Sequence, residues 1–148
     1  MARLILLRHG DAEDGTGDDA ARRLTSKGEA QAQAAGLALA ALGVEIDACL
    51  ASTQVRAAET AEIARRALGV EPELTDELRG GAFDGPALTA GRGSVLLVGH
   101  EPDFSAEVAR LTGARAKMKK GGLAIVDGST LLALLRPREL AAIAAGQR

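Results

Sequence analysis

Tryptophan and tyrosine are absent, and Phe83 and Phe104 are the only aromatic side chains in 148 residues. Recognition of nucleic acid by base stacking therefore has almost nothing to stack with, and no nucleic-acid partner is expected. The single cysteine, Cys49, cannot form an intramolecular disulfide, which fits a reducing, cytoplasmic setting. The apolar run Leu4 to Leu7 is too short for a signal-peptide core or a membrane span, so no membrane partner is expected. Excess charge is lacking too. A formal net charge of -2 gives no general attraction to polyanions, and any anion binding must come from local placement of arginine. Two histidines and one cysteine far apart in sequence make a poor zinc constellation, and neither a metal nor another cofactor is expected. There is no glycine-rich nucleotide loop, because Gly91-Arg92-Gly93-Ser94 precedes a strand instead of joining strand to helix.

What is present is apolar material, much of it alanine, in a length that suits one domain over residues 1–148. Arg3 to Leu7 reads as a buried strand, and the acidic, glycine-rich stretch from Asp11 to Asp19 as a solvated loop. Ser26 and Glu29 have capping-box spacing ahead of a helix with Ala30, Ala34, Leu37, Ala38 and Ala41 on one face, stopping at Gly43. Ile46 to Ala51 forms a second strand, and Ser52 or Thr53 would cap a helix with Ala57, Ala61, Ala64 and Leu68 inward. Val70 to Thr75 suggests a brief strand, and Arg79 to Gly93 a loop with one helical turn at Pro86 to Ala90. Ser94 to Val98 is a clear buried strand, followed by a helix from about Asp103 to Leu111 behind Pro102. Leu123 to Val126 and Thr130 to Leu135 form a hairpin at Asp127-Gly128, and a last helix starts after Pro137. The alternation implies an α/β three-layer sandwich: a mostly parallel central sheet, helices on both faces, and an antiparallel C-terminal hairpin.

Both histidines, His9 and His100, directly follow strand-like runs, where open α/β sheets place their ligands. Either one alone reads as an ordinary loop or core residue. Two at equivalent strand ends read as a site. Arg56 falls in the first turn of a helix, where a cation works against the helix dipole by roughly 0.3–1 kcal/mol unless an anion binds there. Arg8 ends the first apolar run, where an ion pair with Asp11 or Glu13 is the alternative to ligand binding. Arg8, Arg56 and a protonated His100 would neutralise a phosphate dianion, and a neutral His9 could attack phosphorus in line. The arginines are expected to lower the pKa of His9 and keep its lone pair available.

Arg8-His9-Gly10 after an N-terminal strand, Ser52-Thr53-Gln54-Val55-Arg56-Ala57-Ala58-Glu59-Thr60-Ala61 and Val98-Gly99-His100 together resemble the histidine phosphatase (phosphoglycerate mutase-like) superfamily. Leu24-Thr25 with Gly28, the short length and Gly99-His100-Glu101-Pro102 resemble its small SixA-type branch of phosphohistidine phosphatases. The resemblance implies that His9 is the nucleophile that becomes phosphohistidine, and that Arg8, Arg56 and His100 bind the phosphoryl group. It assigns Arg22 as a further phosphate-side arginine, with Arg23 beside it leaving the register open. For the general acid, the nearest counterpart is Glu77, with Asp11 second.

Without a sure acid, an easily departing imidazole is a better leaving group than an alkoxide. The expected activity is therefore metal-independent phosphatase action on phosphohistidine in a protein. A phosphatase of small phosphate esters and a non-catalytic phosphate-binding module are the alternatives. The segment from Glu77 to Gly93 is too short for a lid, so the pocket should admit a protein side chain, with Lys117, Lys119 and Lys120 either at its rim or in a solvated turn. The chain is expected to be a monomer.

Overall fold

A computed structural model describes residues 2–15 and 17–146. Six strands form one sheet: β1 (Leu4–Arg8), β2 (Ala48–Ser52), β3 (Pro72–Thr75), β4 (Val95–Gly99), β5 (Leu123–Asp127) and β6 (Thr130–Leu135). Their order is β3-β2-β4-β1-β5-β6. The β3–β2, β2–β4 and β4–β1 pairs are parallel, whereas β1–β5 and β5–β6 are antiparallel. This is the α/β sandwich expected from the sequence, with the antiparallel hairpin joined directly to the edge of β1.

Because the central strands are covered on both faces, they are apolar up to their last residue, which is Arg8 in β1, Ser52 in β2 and Gly99 in β4. In β1, Ile5 and Leu7 join a core beneath α1 (Ser26–Ala41), α2 (Val55–Ala64) and α5 (Pro137–Ala145). Leu4 and Leu6 join the opposite core, with Phe104 and Val108 of α4 (Asp103–Thr112) and Leu78. Burial of each such large side chain stabilises by about 1.5–3 kcal/mol. A single helical turn, α3 (Gly85–Leu88), lies within the stretch read as mostly loop. Cys49 is fully buried, and that burial pushes its thiol pKa up to about 12.

Two local expectations are corrected. The cap of α1 is Thr25, not Ser26: its hydroxyl accepts from Gly28 N and also donates to Asp11 Oδ2 at 2.8 Å. The buried face of α1 comprises Gly28, Ala32, Ala35, Gly36, Ala38 and Leu39, so of the expected stripe only Ala38 is buried. With alanine on nearly every side, periodicity carries little information about phase, and close backbone approach decides it. A Cβ on Gly36 would run into the carbonyl oxygen of Ala64 in α2. In α2 the expected face does pack inward, with Ala57, Ala61 and Ala64 wholly buried.

Candidate active site

Since β1 and β4 are parallel neighbours, Arg8 stands opposite Gly99, and the next residues, His9 and His100, leave adjacent strands at the same edge. The backbone N–H of His9 donates to Gly99 O at 3.0 Å. The two imidazoles lie 5.2 Å apart between centroids, inclined at 56°.

His9 is 6% exposed. Its Nδ1 lies 2.7 Å from the carbonyl oxygen of Gly10, which can only accept, so Nδ1 carries the proton and Nε2 the lone pair. Arg56 Nε donates to that Nε2 at 3.3 Å. The pKa of His9 is lowered to about 3. Burial is the largest cause, the Gly10 carbonyl opposes it, and His100, Arg56 and Arg8 lower it further. The arginines thus contribute as expected, but desolvation dominates.

Gly10 is required by close packing. A Cβ there would lie 2.6 Å from the carbonyl oxygen of Gly28, and a Cβ on Gly28 would collide with that of Asp11. The N–H of Gly10 donates to Thr60 Oγ1 at 3.1 Å, and Thr60 in turn donates to the Arg56 carbonyl at 2.7 Å. Thr60 therefore ties the turn after β1 to the helix that carries Arg56.

Arg8 Nη1 donates to the Met118 carbonyl at 2.9 Å, while its Nε is buried without a partner. Burial lowers the Arg8 pKa, opposed by Glu101. Arg56 is 7% exposed, and burial with Arg22 lowers its pKa against the opposing pull of Asp19. Both are desolvated cations close enough to His9 to lower its pKa.

His100 Nε2 lies 2.8 Å from Ser52 Oγ, and its Nδ1 is buried with no partner. Its pKa is pushed down to about 4, first by burial and then by Arg56. In the anion-free protein the ring is therefore neutral at neutral pH, whereas the protonated His100 expected from the sequence belongs to the complex with a phosphate dianion. Ser52 and Thr53 do not cap α2 either. The N-cap is Gln54, and Ser52 Oγ accepts from its N–H while partnering His100. The sequence offers Ser52 or Thr53 equally as the cap; the place of Ser52 at the end of a strand, as for His9 and His100, is the signal for a positioning role.

Arg22 and Arg23 are distinguished by their partners. Arg22 donates to Asp19 Oδ1 at 2.8 Å and to the Glu13 carbonyl, whereas Arg23 pairs with Glu59 at 2.9 Å on the exposed side. Asp19, which the sequence reading passed over, bridges Arg22 and Arg56. Arg56 Nη2 donates to Asp19 Oδ2 at 3.3 Å and Nη1 to its carbonyl at 3.0 Å.

Neither candidate acid makes a described contact with His9. Glu77 is exposed in the turn Asp76–Leu78, where its N–H donates to Thr75 Oγ1. That turn is pinned beside α2 by a hydrogen bond from Thr53 Oγ1 to Asp76 Oδ1 at 2.8 Å. The Asp11 carboxyl is held below its usual pKa chiefly by the Thr25 hydroxyl, with Lys120 assisting. Lys119 and Lys120 line a cavity that reaches Arg8; Lys117 is exposed and not among its lining residues.

Comparison with known proteins places the fold and the family. Over 93% of this chain and 99% of the other, the fold superposes on the protein histidine phosphatase SixA solved with tungstate, with TM-score 0.81 and 27% identity. A candidate SixA phosphohistidine phosphatase from Agrobacterium tumefaciens gives TM-score 0.80 at 27% identity over 92% of this chain and 98% of that one. In sequence, 70 residues are 43% identical to the mitochondrial serine/threonine-protein phosphatase Pgam5 of Drosophila ananassae. That segment covers 47% of this chain and 24% of Pgam5. The family model for the histidine phosphatase superfamily (branch 1) matches residues 4–90, more than half of the chain, and the chain belongs to that superfamily.

Proposed function

We propose that the protein is a phosphatase that works through a phosphohistidine intermediate on His9, with phosphohistidine in a protein as its substrate class. The observation that carries this reading is the Nε2 lone pair of His9, deprotonated at neutral pH and held 3.3 Å from Arg56 Nε. A phosphoryl group placed between Arg8, Arg56 and His100 presents its phosphorus to that nitrogen, and the guanidinium groups stabilise the charge on its equatorial oxygens. Arg22 adds a cation on the Asp19 side. A bound dianion supplies the field that draws a proton onto His100, whose Nδ1 lacks a partner until then. The tungstate bound by the similar SixA protein, itself a tetrahedral oxyanion, supports this reading.

Transfer breaks the bond between phosphorus and the leaving group, forms the bond to Nε2, and is completed by water. Asp11 and Asp19 are both held ionised, by Thr25 and Arg56 respectively, and so are poor proton donors. Glu77, on the turn pinned beside α2, is the proposed acid for leaving groups that need one. Imidazole needs little help, which favours phosphohistidine over alkyl phosphates.

Incubation with a labelled phosphoryl donor should give an acid-labile, base-stable label on the wild type and none on His9→Ala. A label that persists in His9→Ala, or no label with a panel of donors, overturns the reading.

A further inference from the structure

A cavity of about 520 Å³ opens beside the site and is lined by Arg8, Lys27, Lys119, Lys120, Arg136 and Arg138. Asp11 is the single acidic residue of its lining. Lys120 spends part of its charge on Asp11 at 3.5 Å, and Glu139 lies beside both Arg136 and Arg138. The cavity thus keeps a clear excess of positive charge in a chain whose net charge is -2. It adjoins the candidate site through Arg8. Arg8 belongs to both, and Gly121 N donates to the carbonyl oxygens of Arg8 and His9, which fixes the Lys119–Lys120 turn against the catalytic segment.

Two of these cations stand against a helix dipole, with only Asp11 near Lys27 and Glu139 3.9 Å from Arg138 to offset it. Lys27 lies in the first turn of α1 and Arg138 in the first turn of α5, where the helix dipole disfavours positive charge. The cations come from four separate segments and most are exposed. A lone second phosphate would call for buried groups converging on one point. Dispersed, exposed cations match several carboxylates spaced along a chain.

We propose that this cavity docks an acidic polypeptide segment next to the phosphorylated side chain, so that the preferred substrate is a phosphohistidine flanked by Asp and Glu. The inference rests on the phosphatase reading above for its catalytic arm, and direct binding tests the cavity separately.

Two phosphohistidine peptides, one flanked by Asp and Glu and one by Ser and Ala, are compared with wild type and the double variant Lys27→Glu/Arg138→Glu. Both substitutions place a favourable charge at a helix start, so the fold is kept. Wild type should turn over the acidic peptide with kcat/KM about tenfold higher at low salt, the gap narrowing as salt screens it. In the double variant the gap should close while turnover of an aryl phosphate is unchanged. Equal turnover of the two peptides by wild type, or a preference that survives the charge reversal, overturns the proposal. A small bisphosphate that competes better than the unphosphorylated acidic peptide overturns it in favour of a small-molecule ligand. If no substrate is turned over at all, the phosphatase reading fails while the docking is still decided by fluorescence anisotropy of the unphosphorylated acidic peptide. Binding lost in the double variant supports the docking, and no binding to wild type overturns it.

Discussion

The Nε of Arg56 donates to Nε2 of His9 across 3.3 Å, so the guanidinium already stands at the nitrogen a phosphoryl group would meet and must pass from that lone pair to the phosphate oxygens as the group enters. A lysine retains charge but not the planar fork that can make this exchange. Arg56→Lys is expected to lower kcat/KM by roughly 100-fold, about 3 kcal/mol of transition-state stabilisation, with little change in the melting temperature. Steady-state kinetics beside thermal unfolding checks this.

Asp19 places a carboxylate on the two arginines assigned to phosphate, Arg56 and Arg22. An incoming anion competes with it. Asp19→Ala should therefore tighten inhibition by inorganic phosphate or tungstate several-fold, about 1 kcal/mol, measured as the inhibition constant. Weaker inhibition would mean that Asp19 orients the arginines instead of competing for them.

Ser52→Ala leaves His100 Nε2 and the Gln54 N–H without their partner. The cost in stability should be about 1–3 kcal/mol, the penalty for stranding buried polar groups. A purely structural role predicts only that loss. A positioning role for His100 predicts in addition a fall in kcat at saturating substrate, with Ser52→Thr recovering part of it.

The imidazoles of His9 and His100 titrate near 3 and 4 in the folded protein, both below the unfolded value of 6.5. From about pH 6.5 down to about pH 4 for His100 and about pH 3 for His9 the unfolded chain binds more protons, so the contribution of these two groups to stability is lost as the pH is lowered through that window and is constant above it. The loss is on the order of a few kcal/mol. Urea unfolding at pH 7 and pH 5 should show it, and the His9→Gln/His100→Gln variant should show a shallower slope. Bound phosphate should also reduce the slope, by stabilising charged His100.

Glu77→Gln should leave hydrolysis of phosphohistidine and aryl phosphates within about twofold while reducing any alkyl phosphate turnover at least tenfold, because only the alkoxide needs a proton. A uniform loss across leaving groups would place Glu77 in binding and not in proton transfer.

The strands and the placement of His9, His100, Arg8 and Arg56 were legible because buried parallel strands are apolar throughout and end abruptly in polar residues. The phase of α1 was not, since an alanine-rich helix offers no polar face to read. Asp19 was hidden for a different reason: its role comes from a loop folding back 37 residues from Arg56, and nothing in an acidic, glycine-rich stretch announces that. Ser52 was visible but misassigned, because a serine before a helix fits a cap as well as a histidine partner. The protonation of His100 depends on burial, which no local pattern reports.

The pairing of Arg8 with Gly99 joins residues that are distant in the chain but adjacent in the sheet. Between His9 and its neighbours Gly99 and His100 the chain runs through α1, α2 and β3. Closing so long a loop is entropically costly and slow relative to local helix formation. The proposed centre therefore arrives with topology: a chain that stops before β4 carries Arg8-His9-Gly10 without Gly99 or His100, and the site assembles only when β4 pairs with β1.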